Sequence, residues 1–265
     1  MARGGRPGGR GGNRAPLTRA VQVSKKLSWL LRHGAEKEGL KLGEGGYINV
    51  GDVLANRNLR SLQITFDEVK GVVAADEKQR YTMIPASEDG SGTVSDRPED
   101  YLIRANQGHS LKLEDEGLLT PITKDNMPGA AVHGTTHAAW SLIAASRGLK
   151  AMTRNHVHFA AGLPAGFRSV VEQDASVENA APVISGMRNS STVLVFLDLA
   201  KAMDAGLKFG LSDNGVVLTE GNENGLVPLE FFKRVEDRTG EGILVEDGQI
   251  VKEAPASWSK GKGKG

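Results

Sequence analysis

The chain has no cysteine among its 265 residues. Disulfides, thiolate catalysis and cysteine-ligated zinc are therefore excluded, and a reducing compartment suits it. Long apolar runs are missing as well. No stretch approaches the length needed to cross a bilayer, and the Met1 end has no apolar core of the signal-peptide kind. An intracellular protein, cytoplasmic or nuclear and without membrane contact, is expected. There is no P-loop, no Gly-x-Gly-x-x-Gly and no internal repeat, which argues against a Rossmann fold. What remains, 39% hydrophobic and 25% charged residues, is a globular composition long enough for two modest domains or one large one.

A formal charge of +1 conceals an asymmetry. Residues 1–26 carry seven basic groups (Arg3, Arg6, Arg10, Arg14, Arg19, Lys25, Lys26) and no acid, leaving about −6 for the rest. A basic front end suits an anionic partner such as RNA, and equally suits a solvated tail. Residues 1–16 are Arg-Gly-rich, with too few apolar groups to offset the entropy of ordering, and are expected to be disordered. Lys260–Gly265 reads as a second tail.

Between the tails, Val23, Leu27, Leu30 and Leu31 recur at helical spacing, with Gly34 as the expected stop and Arg32 and His33 in the last turn. Tyr47–Val50 reads as a short strand, with Asp52 capping a helix from Val53. Thr65-Phe66-Asp67-Glu68 is a capping box opening another helix. Arg80–Ile84 and Tyr101–Ala105 read as paired strands, with the polar stretch Ser87–Glu99 at their tip. Short helices followed by a strand pair suggest a winged-helix module.

The character changes near Gly117. Ala130–His133 is an expected strand, and Ala138–Ser146 an expected helix ended by Gly148. Strand alternation puts Arg154, His156 and His158 on one face. Thr192–Leu197 reads as a buried strand. Leu207–Leu211 and Val216–Thr219 flank Ser212-Asp213-Asn214-Gly215, whose Asn-Gly is a strong hairpin signal.

Three guanidiniums and an imidazole stand out: Arg32-His33, Arg104 and Arg188, each in its own segment without an evident carboxylate partner. Arginine is always charged and offers a rigid fork of donors matched to phosphate oxygens. Singly, each is also explained as a solvated surface cation. His133 and His137 are spaced as a metal pair on a helix, but His-Gly-Thr-Thr-His lacks the carboxylate of the zincin pattern, and Gly134 is a poor helix residue. No metal is expected. A phosphoesterase of the His-x-Thr kind needs two such motifs, and only His133-Gly134-Thr135 qualifies. His137 reads as structural.

Taken in order, Ser24–His33 (Ser-Lys-x-Leu-Ser-x-x-Leu-Arg-His), Ile103–Ser110 (Ile-Arg-Ala-x-Gln-Gly-His-Ser), His133–Thr135, Gly148–His158, Gly186–Arg188 and Ser212–Thr219 resemble the RNA 2′-phosphotransferase family. The resemblance spans about residues 20–235. It departs from compact members in the polar segment around Ser87–Glu99, in an apparent insertion at Gln173–Ala181, and in both tails.

The resemblance implies an α+β protein. A winged-helix-like RNA lobe (17–115) would be followed by an ADP-ribosyltransferase-like split-sheet NAD lobe (116–245), with a flexible Lys/Gly tail over 246–265. It implies removal of an internal 2′-phosphate from spliced tRNA, the last step of splicing, with NAD⁺ consumed as co-substrate and no metal. The phosphate attacks the nicotinamide-bearing ribose carbon and expels nicotinamide. The neighbouring ribose hydroxyl then attacks phosphorus, releasing 2′-OH RNA and ADP-ribose 1″,2″-cyclic phosphate.

By motif match Arg32, His33, Arg104 and Arg188 are the catalytic set. Arg32 and Arg104 clamp the RNA phosphate, Arg188 serves transesterification, and His33 is a hydrogen-bond donor and candidate general acid. Lys25, Lys26, Gln107, His109 and Ser110 are expected to contact RNA or phosphate. His133, Gly134 and Thr135 match the motif at the adenosine-side ribose, and His158, with His156 as the alternative, sits beside nicotinamide. Arg154, Ser212 and Asn214 are expected in the NAD cleft, although a hairpin turn explains Asn214 equally well. Val217 occupies a position where many protein-modifying transferases carry a catalytic glutamate. Two other readings stay open: an ADP-ribosyltransferase acting on nucleic-acid ends, and a winged-helix RNA-binding protein with a degenerate second half. A monomer is expected.

Overall fold

The computed structural model describes residues 16–86, 95–111, 113, 117–171 and 183–259. The Arg-Gly tail before Pro16, most of the polar loop at Ser87–Glu99, the insertion at Gln173–Ala181 and the Lys260–Gly265 tail lie outside them. Among the described residues no helix is long and apolar enough to cross a membrane. The chain is α+β, with two main apolar cores, one drawn from residues 23–111 and the other from 122–245.

Helix α1 (Arg19–Trp29) opens on Thr18, whose hydroxyl accepts from the Val21 amide, and turns Val23 and Leu27 inward. Gly34 does not stop it, contrary to expectation. The chain widens into a π turn over Leu30–Gly34, passes through Ala35 into a 3-10 turn at Glu36–Glu38, and ends only at left-handed Gly39. The extra residue of the π turn lets adjacent Leu30 and Leu31 both be buried while Arg32 and His33 stay partly open. Gly34 is required for another reason: a Cβ there would lie 2.7 Å from the Trp29 ring.

Strand β1 (Ile48–Asn49) runs into α2 (Val50–Ala55), and the cap is Asn49, accepting from the Gly51 amide at 2.8 Å, in place of the expected Asp52. α3 (Arg57–Arg60) follows. α4 (Phe66–Ala74) carries the capping box read from the sequence, with both Thr65–Glu68 bonds made. β2 (Tyr81–Pro85) and β3 (Tyr101–Ala105) pair antiparallel, and the order β1-β3-β2 sets Arg104 opposite Thr82.

The second core is built on a sheet that threads most later elements: β4 (Thr120–Pro121), β5 (Val132–Thr135), then α5 (His137–Ala145), β6 (Gly148–Lys150), β7 (Val157–Ala160), β8 (Val193–Leu197), α6 (Leu199–Asp204), β9 (Gly210–Leu211), β10 (Val216–Thr219), β11 (Leu226–Pro228), β12 (Phe232–Asp237), β13 (Gly242–Glu246) and β14 (Gln249–Ile250). Among the described residues nine of these strands join in the order β14-β13-β12-β8-β5-β7-β10-β9-β4, while β6 and β11 pair separately. β5 and β7 share one registered pair, Val132↔Ala160, and then part, so the sheet opens between His133 and His158.

Several local expectations change. α5 is ended by Arg147 in the left-handed region (φ 56°), and Gly148 already belongs to β6. β7 starts at Val157, so Arg154 lies in the bend before it. The expected flexible tail from residue 246 is corrected. β14 pairs with β13, and a short helix α7 (Ala256–Ser259) stacks Trp258 on His137, ring centroids 3.8 Å apart. His137 also meets Asp237 Oδ1 at 2.7 Å, and, since it sits on α5 while His133 is on β5, the two do not form a helical pair.

Candidate active site

The two cores meet through a few long-range bonds. The Asn155 amide donates to the His109 carbonyl at 3.0 Å, and its side chain to the Leu111 carbonyl at 2.6 Å. The Asn214 side chain donates to the Lys78 carbonyl at 2.9 Å. These bonds, each worth about 1 kcal/mol, hold the His156–His158 segment against the Arg32–His109 region.

Arg32 leaves the π turn beside Gly108, which the backbone requires at φ 89°, and its Cδ, Nε and Cζ lie 3.6–3.7 Å from the Cβ position there. The Ser110 amide donates to the Arg32 carbonyl at 3.0 Å. Among the described residues Arg32 Nε and Nη2 are buried and without a partner. These two nitrogens form one edge of the guanidinium, the fork that matches two oxygens of a phosphate. His33 Nδ1 lies 2.9 Å from Ser110 Oγ, which leaves Nε2 for the site.

Arg104 corrects one expectation: it has a carboxylate partner. Its Nη2 donates to Asp213 Oδ2 at 2.6 Å, Nη1 donates to the carbonyls of Gly45 and Gly117, and the Tyr47 ring lies 4.6 Å from Cζ. Its Nε is buried and unpartnered. Sequence reading missed Asp213, Tyr47 and Asn155. Asp213 lay within the Ser212–Thr219 motif, but nothing local signals a partner 109 positions away.

Arg188 is carried by a loop pressed onto the sheet. Gly186 has φ 94°, and a Cβ there would come 2.9 Å from Ala160 Cα; one on Gly134 would come 2.5 Å from the Met187 and Ser191 side chains. Met187 is buried and Arg188 is exposed beside it.

The charges are felt mutually. Burial, then the Arg32 and Arg154 charges, lowers the His33 pKa. Burial with Arg32, His156, His33 and Arg104 pushes His109 down to about 3. His158 is likewise pushed to about 3 by burial and then Arg154. Burial lowers His133 most, its bond to the His158 carbonyl opposes this, and Arg154 and Arg188 add to the lowering. Arg154 itself is lowered by partial burial and then by Arg188. Burial first, and the arginine charges after it, hold these histidines neutral, and fixed arginines in such a place attract anions.

His133 Nδ1 donates to the His158 carbonyl at 2.8 Å, and His158 Nδ1 donates to the His156 carbonyl at 2.9 Å. In neutral His158 this leaves Nε2 as an acceptor, and it is buried without a partner. Gly134 and Thr135 continue β5, with Thr135 buried opposite Val193.

Other expected site residues lie differently. Lys25 lines a groove of about 830 Å³ with Arg32, His33 and Trp29, whereas Lys26 opens onto a neighbouring groove with Gln22 and Asn58. Gln107 is half-buried, His109 buried and Ser110 exposed. Ser212 and Asn214 spend their side chains on the turn, Ser212 Oγ to Asn214 Oδ1 at 2.8 Å, and on the tie to Lys78. The hairpin reading therefore accounts for both. Val217 is fully buried between Phe159 and Leu211 in the apolar core, so its side chain does not line the opening.

A family model described as RNA 2′-phosphotransferase, Tpt1/KptA family, matches residues 18–221. The chain is 40% identical to tRNA 2′-phosphotransferase 1 of Danio rerio over 85% of its own length and 89% of that protein's. It is 36% identical to tRNA 2′-phosphotransferase 1 of Homo sapiens over 84% and 79% of the two chains. With tRNA 2′-phosphotransferase of Saccharomyces cerevisiae the identity is 32%, over 82% and 84%.

Proposed function

Because this chain belongs to the RNA 2′-phosphotransferase family, Tpt1/KptA, we propose that it removes the internal 2′-phosphate from spliced tRNA and transfers it to NAD⁺. The observation that carries the reading is the free, buried Nε–Nη2 edge of Arg32 beside His33, with the charges of Arg154 and Arg80 near it. The proposed architecture is a winged-helix-like RNA lobe over 17–115 and an ADP-ribosyltransferase-like lobe from 116. The three-stranded sheet with α1–α4 supports the first, and the parting of β5 from β7 supports the second.

The first step needs no general base from the protein. A phosphomonoester with a second pKa of about 6 is already mostly dianionic at neutral pH. One of its oxygens bonds to the ribose carbon as the bond to nicotinamide breaks. The adjacent ribose hydroxyl then gives up its proton and bonds to phosphorus as the bond from phosphorus to the RNA 2′-oxygen breaks. One proton lost at the attacking oxygen is matched by one gained at the leaving oxygen. Arg32 and Arg104 hold the phosphate, and Arg188, on its exposed loop, meets the charge built during the second step. His33 donates from Nε2 toward the leaving oxygen. On the nucleotide side the free His158 Nε2 acceptor suits a ribose hydroxyl or carboxamide N–H, and the close packing over Gly134 leaves room for backbone alone.

The test is an oligonucleotide with one internal 2′-phosphate, incubated with and without NAD⁺ and followed by mass. NAD⁺-dependent loss of phosphate with release of ADP-ribose cyclic phosphate is expected. Stable ADP-ribosylated RNA would make the protein a nucleic-acid ADP-ribosyltransferase, and tight binding without reaction would make it a binding module.

A further inference from the structure

Arg104 is 6% exposed, so its charge has been almost wholly removed from water. An unpaired guanidinium so placed would be strongly disfavoured. Its partners come from three directions. The Gly45 and Gly117 carbonyls take Nη1, and Asp213, from the β9–β10 turn of the second core, takes Nη2 at 2.6 Å. The Tyr47 ring lies against the plane of the group. That leaves Nε–H, buried and without a partner.

Asp213 is itself held. Asn214 beside it is tied to the Lys78 carbonyl at 2.9 Å, Thr82 Oγ1 lies 3.2 Å from Asp213 Oδ2, and Gly215 (φ 73°) closes the turn. The carboxylate side chain is 43% exposed, unlike the arginine it pins. Its geometry is therefore set by the turn and by its contact with the other core.

We propose that Asp213 is a positioning residue for phosphate binding: reaching across from the second core, it fixes the Arg104 guanidinium so that its free Nε–H is presented to the RNA 2′-phosphate. This rests on the functional reading above, in which Arg104 grips that phosphate. The grip on RNA then depends on the β9–β10 turn being seated, which couples the two halves of the protein through one ion pair.

The experiment compares wild type with Asp213→Ala and Asp213→Asn, measuring separate kcat and KM values for a 2′-phosphorylated oligonucleotide and for NAD⁺. Asparagine keeps an acceptor oxygen of the same size at the same place. We expect Asp213→Ala to raise the KM for RNA at least tenfold with the NAD⁺ KM unchanged, and Asp213→Asn to recover to within about threefold of wild type. In an Arg104→Ala background, Asp213→Ala should add nothing further. An unchanged RNA KM, or full additivity with Arg104→Ala, overturns the proposal. A lowered RNA KM also overturns it, by showing that Asp213 competes with the phosphate. Direct binding of 2′-phosphate and 2′-OH oligonucleotides separates the two levels. If wild type does not distinguish them, the functional reading fails; if wild type and Asp213→Ala distinguish them equally, only the role of Asp213 does.

Discussion

His33 Nδ1 and Ser110 Oγ, 77 positions apart in the chain, lie 2.9 Å apart. With Nδ1 accepting from the serine hydroxyl, the neutral ring carries its proton on Nε2 and can donate without being charged. Ser110→Ala should lower kcat about tenfold, the loss of one hydrogen bond of about 1.4 kcal/mol, with the NAD⁺ KM unchanged. Because burial and the nearby arginines lower the His33 pKa, the neutral form prevails above it. Turnover should therefore not decline between about pH 6.5 and 8. A descending limb there that disappears in His33→Asn would show that the imidazolium is the working form.

Arg32 uses an edge, not only a charge. Replacement by lysine keeps the charge and loses the Nε–Nη2 fork. Arg32→Lys is expected to reduce kcat/KM for RNA by about 2–4 kcal/mol, some 30- to 1,000-fold, nearly as much as Arg32→Ala. Near-wild-type kinetics for the lysine variant would mean that simple charge suffices.

The loop bearing Arg188 rests on two glycines without room for a side chain. Gly186→Ala combines a left-handed backbone (φ 94°) with a Cβ 2.9 Å from Ala160 Cα, and should cost about 1–3 kcal/mol in stability. Urea titration reads the first effect. Turnover below that of an equally destabilised variant elsewhere reads the displacement of Arg188.

Acid should unfold this protein through its histidines. His109 and His158 are both held near a pKa of about 3 against an ordinary 6.5. The unfolded chain then binds protons that the folded one refuses, so stability is complete above about pH 6.5 and declines as the pH falls from there toward 3. Between about pH 6.5 and 5 each group accounts for about 2 kcal/mol. Denaturant midpoints at those two pH values measure the sum over these and the other lowered histidines, His33 and His133, and His109→Gln should remove one group's share of the slope.

Trp258 closes over His137 at 3.8 Å between ring centroids. Trp258→Ala should lower the unfolding free energy by about 1–2 kcal/mol and leave the RNA and NAD⁺ KM values unaltered. A change in either KM would connect this end of the chain to the site.

What could be read from the sequence is what neighbouring residues decide among themselves. The Thr65–Glu68 capping box, the Asn214-Gly215 hairpin and the buried Val193–Leu197 strand all depend on contacts within a few positions, and the ordered motifs around Arg32, Arg104 and Arg188 identified the family. Helix ends were less legible. The π turn at Leu30–Gly34 and the stop at Arg147 arise because packing, not propensity, chose where each helix turned. Only the tertiary structure brought Asp213 to Arg104, Asn155 to His109 and Trp258 to His137. Those pairings depend on where two separately built cores meet, and no periodicity along one chain records the distance between faces that fold apart.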